Sequence, residues 1–293
     1  MNNTINSQVS YLAFVVAFCL AINTCLAFDP GEPFKVSHKL QPNEDVFSDF
    51  KVSPDGKTLV YRALNTRGSE IDLYSVSTTG GVVRNLTILT VEQNGNALNF
   101  KISPDGTKVV YVSDTPRGHA LRMVSIDGRV NRWLSAVQAI GLRAQISDFK
   151  ISSDSSRVVY RTDQGISNNF RLIRTMLDAP YSRIPVGVNL ADGRSIEPDF
   201  EFVPGQNRVV YRGNVTKDNV IELFASLTES AGNALKLNVA LGPGGNVEDG
   251  EFPQFKIGKK FSISPDGSYV VYHVDARINN VFDVFRMRNA PKK

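Results

Sequence analysis

Asp49 to Gly56 reads DFKVSPDG, and Leu59 to Tyr61 follows with LVY. Phe50, Lys51 and Val52 alternate apolar and polar, the pattern of a strand with one buried face. Ser53-Pro54-Asp55-Gly56 reads as a tight turn. Proline presets φ at the second position, aspartate bonds nearby backbone and glycine tolerates the exit geometry. Leu59-Val60-Tyr61 then supplies a second, β-branched and aromatic strand. The segment returns as Asn99 to Gly106 with Val109 to Tyr111, and as Asp148 to Ser155 with Val158 to Tyr160. It returns again as Asp199 to Gln206 with Val209 to Tyr211. In a fifth copy Gln254 to Ile257 (QFKI) is separated by an insertion from Ser264 to Gly267 and Val270 to Tyr272. The tyrosines fall at 61, 111, 160, 211 and 272, in steps of 50, 49, 51 and 61.

A third strand follows in every unit, at Ile71–Val76, Leu121–Ile126, Phe170–Ile173, Ile221–Phe224 and Phe282–Phe285. A fourth is expected near Leu86, Leu134, Ile184 and Leu237. The fifth unit stops before one. Phe34 to Ser37 precedes the first unit, and Val36 lies 14 residues before Phe50, as Leu86 does before Phe100. The pattern therefore predicts an all-β β-propeller of five four-stranded blades, with repeats near 46–95, 96–145, 146–195, 196–245 and 250–288. A closing strand near 34–40 joins the last blade and removes two free sheet edges. For the inner strand of the fifth blade both Phe255 and Phe261 are candidates, and one long or bulged strand is expected.

The Ser-Pro-Asp-Gly…Val-Val-Tyr repeat resembles the WD40-like Pro-Asp repeat of the TolB propeller, which is also found in the propellers of prolyl-oligopeptidase-type peptidases. The resemblance runs over residues 34–288 and is carried by 53–56, 103–106 and 264–267. Units three and four depart from it at Ser152–Ser155 and Val203–Gln206. The resemblance implies a fold and no particular function. TolB's own propeller has six blades and an additional N-terminal domain; five blades are counted here.

Ahead of the repeats, Tyr11 to Ile22 is an uncharged apolar run. It is too short for a spanning helix and suits a signal-peptide core, with cleavage after Ala27. Its leading ten residues hold no lysine or arginine, so an uncleaved anchor is the alternative. Residues 1–27 are thus read as a signal peptide and 28–293 as one propeller domain, exported to the periplasm or the extracellular space. Both cysteines, Cys19 and Cys25, fall in the leader, so the mature chain would rest on its core rather than on disulfides. With 42% hydrophobic and 21% charged residues the chain is neither disordered nor a coiled coil. Its net charge of +4 is spread without a basic stripe, which argues against a nucleic-acid surface.

Propeller geometry would place the turns on one side and the entrances to the inner strands on the other. The entrances read Asp49, Asn99, Asp148, Asp199 and Gln254, one oxygen-bearing side chain per unit. The positions after the second strands read Arg62, Val112, Arg161, Arg212 and His273. Two readings are open. The rings bind a polar ligand, or the carboxylates bond loop backbone while Arg–Asp pairs tie blades together. Lys51, Lys101, Lys150, Glu201 and Lys256 form a further ring, nearer the channel or covering apolar surface. No cofactor is expected, although the oxygen ring suits a Ca²⁺ or other divalent cation. His38, His119 and His273 have no metal-ligand spacing, and no Gly-x-Ser-x-Gly elbow occurs. Oligogalacturonate lyases, which share this type of repeat, need a histidine-containing metal site that these residues do not assemble. The expectation is a non-enzymatic propeller binding a protein or polar ligand on its channel face, without nucleic acid and without a transmembrane segment in the mature chain. A glycoside hydrolase or lyase using carboxylates at the channel mouth is the alternative. A purely structural module is the third reading.

Overall fold

Short strands of β-branched and aromatic residues, punctuated every fifty residues by the same turn, give five antiparallel sheets. The computed structural model describes residues 33–40, 45–65, 70–87, 95–136, 144–165, 168–179, 182–191, 193–217, 219–243, 245, 247, 260–278 and 281–288. The 1–27 leader and Gln254 lie outside them. The first sheet is β1 (Lys51–Val52), β2 (Thr58–Leu64), β3 (Ile71–Ser77) and β4 (Arg84–Asn85). The second is β5 (Asn96–Ile102), β6 (Lys108–Thr115), β7 (Gly118–Ser125) and β8 (Asn131–Trp133). The third is β9 (Ile146–Ile151), β10 (Arg157–Thr162), β11 (Arg171–Met176) and β12 (Ile184–Val186). The fourth is β13 (Ile196–Phe202), β14 (Arg208–Gly213), β15 (Glu222–Leu227) and β16 (Leu235–Lys236). The fifth holds β17 (Phe261–Ile263), β18 (Tyr269–Ile278) and β19 (Val281–Arg288). Strands pair in chain order within each sheet, and no helix occurs among the described residues.

The repeated turn is held by its own side chains. Ser53 Oγ donates to Asp55 Oδ1 at 2.6 Å and accepts the Thr58 N–H at 2.9 Å, while Asp55 accepts the Lys57 N–H. Ser103–Asp105, Ser152–Asp154 and Ser264–Asp266 repeat the Ser–Asp contact. The turn then needs a left-handed residue. Gly56, Gly106 and Gly267 supply it with φ of 74°, 73° and 70°, and Ser155 takes the same place at 57°.

Successive sheets pack face to face. Alternation along the second strand sends Val60, Val110, Val159 and Val210 toward the following sheet and the tyrosines toward the preceding one. Val60, Leu73 and Leu86 of the first sheet thus bury Phe100, Val109 and Tyr111 of the second. The same arrangement joins second to third, third to fourth and fourth to fifth. A fully buried phenylalanine or valine contributes about 1.5–3 kcal/mol, and these four junctions contain most of the core.

Two details differ from the sequence expectation. In the fifth sheet Phe261 stands opposite Tyr272, as Phe149 stands opposite Tyr160 and Phe200 opposite Tyr211. The inner strand is therefore the three-residue β17, and Lys260 takes the entrance position. Pairing selects Phe261 because it alone keeps the turn and the tyrosine in register with Ser264–Gly267. The second difference concerns closure: residues 33–40 form no strand, and the outer edge of β19 pairs with none among the described residues.

Candidate functional site

The entrance residues and the residues after the second strands come together, largely as ties. Asp49 precedes β1 and Arg62 lies on β2, close enough for Arg62 Nε to donate to Asp49 Oδ2 at 2.8 Å. The Arg62 guanidinium continues to the next sheet, where it donates to the Ala97 carbonyl at 2.7 Å and also to that of Leu98. Arg212 repeats the device. Its Nε donates to both oxygens of Asp199, at 2.8 and 3.1 Å, and its Nη1 reaches the Val247 carbonyl. Arg212 is only 2% exposed.

Asp148 and Arg161 stand opposite each other in the ladder but take other partners. Arg161 donates to the Ile196 carbonyl of the next sheet at 2.6 Å and to Ser147 Oγ at 2.8 Å, and its guanidinium lies 3.7 Å from the Phe170 ring centroid. Asp148 accepts the Phe149 N–H at 2.7 Å and faces Lys101 at 3.2 Å and Lys150 at 3.6 Å. Asn99 is exposed. His273 stacks on Phe282 with ring centroids 4.6 Å apart.

The inner-strand ring is the more informative one. Lys101 bridges from the second sheet to Asp148 and the Phe149 carbonyl of the third. Lys150 bridges from the third sheet to Glu201 of the fourth at 3.0 Å. Burial lowers the Lys101 pKa, with Asp148 opposing and Lys150 assisting. Burial also acts against the Lys150 charge, but Glu201 and Asp148 outweigh it and raise its pKa. Lys51 is exposed; its ammonium lies 5.4 Å from the Phe100 ring centroid and has no ion-pair partner among the described residues. The repeat position that holds Asp148 in the third unit holds the neutral Asn99 in the second.

The sequence missed Lys260, because the repeated Phe-Lys-Ile at 255–257 drew the register toward Gln254. It also missed that Arg62 and Arg161 reach carbonyls of the following sheet, and Arg212 that of Val247 between β16 and β17, which only the stacking of sheets defines. Among the described residues no group of three or more His, Cys, Asp or Glu is arranged to hold a metal ion, and no helix is long and apolar enough to cross a membrane.

Five antiparallel sheets stacked in sequence define a β-propeller, and solved structures support that class. Dipeptidyl peptidase 4 from Porphyromonas gingivalis is similar with a TM-score of 0.55 and 9% identity, over 76% of this chain and 33% of that one. Prolyl oligopeptidase B from Galerina marginata, bound to a 25mer macrocyclization substrate, is similar with a TM-score of 0.53 and 11% identity, over 84% of this chain and 34% of that one. TolB from Acinetobacter baumannii aligns with a TM-score of 0.43 and 14% identity, over 84% of this chain and 52% of that one. The chain thus spans between about a third and about half the length of these three proteins. No family model and no curated protein matches the sequence.

Proposed function

We infer that this chain is a non-enzymatic β-propeller, exported to the periplasm or the cell exterior, that binds a protein partner through its inner-strand face. An acidic segment of that partner meets Lys51. The observation that carries the reading is the exposed Lys51 ammonium. Its repeat counterparts Lys101 and Lys150 each have a carboxylate, whereas the repeat position equivalent to Asp148 is Asn99 in the second unit, and the Lys51 ammonium lies over the Phe100 ring. The wider charge agrees. Across the entrance, inner-strand and post-strand positions of the described residues the cations are Lys51, Lys101, Lys150, Arg62, Arg161, Arg212 and Lys260. The carboxylates there are Asp49, Asp148, Asp199 and Glu201. An excess of positive charge on one face steers anionic partners toward it.

Catalysis by carboxylates is less well supported. A glycoside hydrolase needs one carboxyl to give a proton and another to attack or activate water. Here Asp49 is held by Arg62, Asp199 by Arg212, and Asp148 by two lysines and a backbone N–H. These contacts fix the carboxylates in the fold.

The test is fluorescence anisotropy with a labelled hexaglutamate peptide, an uncharged hexapeptide and an oligogalacturonate. Binding of hexaglutamate that weakens with salt and falls about fivefold or more in Lys51→Gln supports the reading. Equal binding of the uncharged peptide, or an unchanged Lys51→Gln, overturns it. Preference for the oligogalacturonate transfers the site to carbohydrate. Export is tested separately by mass spectrometry, with a mature N-terminus expected at Phe28.

A further inference from the structure

The end of β19 presents two arginines on one open face. Leu73, Leu121, Leu172 and Leu223 share one position on the third strand, and each is 0% exposed. Their counterpart on β19 is Val284, opposite His273, and it is 71% exposed. Arg286 and Arg288 follow at alternate positions, so they share its face, and both are exposed. Together with Ser268 and with Tyr269 at the start of β18, they line a pocket of about 360 Å³.

Cations at the same positions of other sheets are occupied. On the second sheet Lys108 stands where Tyr269 stands, and its Nζ lies 3.7 Å from Asp178, just after β11. On the third sheet Arg157 lies 3.1 Å from Glu229, just after β15. Arg174, the counterpart of Arg286 in the ladder, donates to the Thr228 carbonyl at 2.9 Å. Arg286 and Arg288 have neither a hydrogen bond nor an ion pair among the described residues. Arg286 instead lies over the Tyr269 ring, 5.1 Å from its centroid, and that contact orders its guanidinium. The carboxylate nearest in sequence, Asp266, is engaged in its own turn. It accepts the Ser264 and Ser268 hydroxyls at 2.5 and 2.9 Å and the Ser268 N–H at 3.0 Å.

We propose that this pocket binds a sugar carrying a phosphate or sulfate ester, with Arg286 and Arg288 gripping the oxyanion. Residues two apart on a strand are separated by about 6.5–7 Å, so two guanidinium groups can close on one anion from two sides. One guanidinium fork already matches both oxygens of a carboxylate. A tetrahedral phosphate or sulfate group has oxygens for both forks. The pocket volume lies within the range of about 300–1,000 Å³ typical of small-molecule sites, which is more than a bare ion needs. The Ser268 hydroxyl has given its proton to Asp266, so toward a ligand it can only accept, and a sugar hydroxyl is a donor that suits it. None of these residues belongs to the inner-strand face that holds Lys51, so the site is separate from the partner surface inferred above.

The experiment is isothermal titration calorimetry of the full chain at fixed ionic strength, with glucose 6-phosphate, glucose 6-sulfate, glucuronate, glucose and inorganic phosphate. Saturable binding of one or both esters is expected, with glucose silent and both glucuronate and inorganic phosphate weaker. Whichever ester binds tighter names the oxyanion. The Arg286→Gln/Arg288→Gln variant is expected to keep its Tm, because both side chains are exposed, and to lose about tenfold or more in ester affinity. Lys51→Gln is expected to bind the esters as the unmodified chain does. Four results overturn the proposal: no binding of either ester, glucuronate or inorganic phosphate bound as tightly as the esters, an unaffected double variant, or an equal loss in Lys51→Gln. If the double variant does not fold, Arg288→Gln decides on the same terms.

Discussion

Arg212 Nε lies 2.8 Å from Asp199 Oδ2, and the same guanidinium reaches the Val247 carbonyl, between β16 and β17 in the chain. The pair holds the entrance of one inner strand and a neighbouring element at once. With Arg212 only 2% exposed, this contact is removed from water and its loss leaves polar groups unpaired. Arg212→Gln is therefore expected to destabilise the fold by about 2–4 kcal/mol. Arg62→Gln, whose Asp49 partner is more exposed, should cost less, about 1–2 kcal/mol. Urea denaturation measures both. Native stability with weakened hexaglutamate binding would return the arginines to a ligand-binding role.

The buried tyrosines form a graded series. The Tyr272 hydroxyl accepts the Val239 N–H and that of Tyr211 meets Ser226 Oγ at 3.0 Å, but the Tyr160 hydroxyl is buried without a hydrogen-bond partner among the described residues. Burial raises the pKa of all three, since it disfavours the phenolate. Tyr160→Phe is expected to leave stability unchanged or improve it. Tyr272→Phe should lose about 1 kcal/mol because an N–H is left unpaired. Equal losses in the two variants would contradict this account.

Ser155 occupies the left-handed place that glycine takes in three other turns, and its Oγ accepts the Asp105 N–H of the neighbouring sheet at 2.9 Å. Ser155→Ala keeps the strain and loses the bond, so a loss of about 1 kcal/mol is expected. Ser155→Gly loses the bond but relieves the strain, and should fall close to the unmodified protein. Thermal melts of the two variants compare them directly, and a glycine variant as weak as the alanine one would refute the strain argument.

Acid should act through the turns. The Ser152 hydroxyl, followed by Ser156, holds Asp154 down to about 2, and the Ser264 hydroxyl with Ser268 does the same for Asp266. A carboxyl whose folded pKa lies below its ordinary value near 3.8 stabilises the fold above that value. The contribution is lost as pH falls from about 4 to about 2. The Asp154→Asn/Asp266→Asn double variant should melt lower at pH 6 and show a flatter decline across that window. Calorimetry at several pH values would expose an unchanged slope, the outcome that counts against it.

Much of the fold was legible because its signals are local. The alternation of Phe50-Lys51-Val52, the Ser-Pro-Asp-Gly turn and the Leu59-Val60-Tyr61 strand each follow from backbone preference and side-chain size over a few residues. Repetition then multiplied that reading five times. The candidate site was only half legible. Asp49, Arg62, Asp199 and Arg212 were found by their recurring positions. Whether recurrence meant ligand or packing depended on which atom each guanidinium reached.

What the sequence determined by itself was the number of units, the strands within them and the chemistry of their turns, since all of these are set within some fifty residues of chain. Tertiary structure alone decided three other matters. It paired Phe261 with Tyr272 in the fifth sheet, because only the ladder sets the register of two similar tripeptides. It paired Lys101 and Lys150 with carboxylates of the following sheets while leaving the Lys51 ammonium over the Phe100 ring, because neighbours fifty residues away are set by stacking. And it left Phe50 and Val284 exposed where identical patterns elsewhere are buried. Burial belongs to the pair of faces that meet, and a repeat sequence writes both faces without stating which two come together at the ends of the chain.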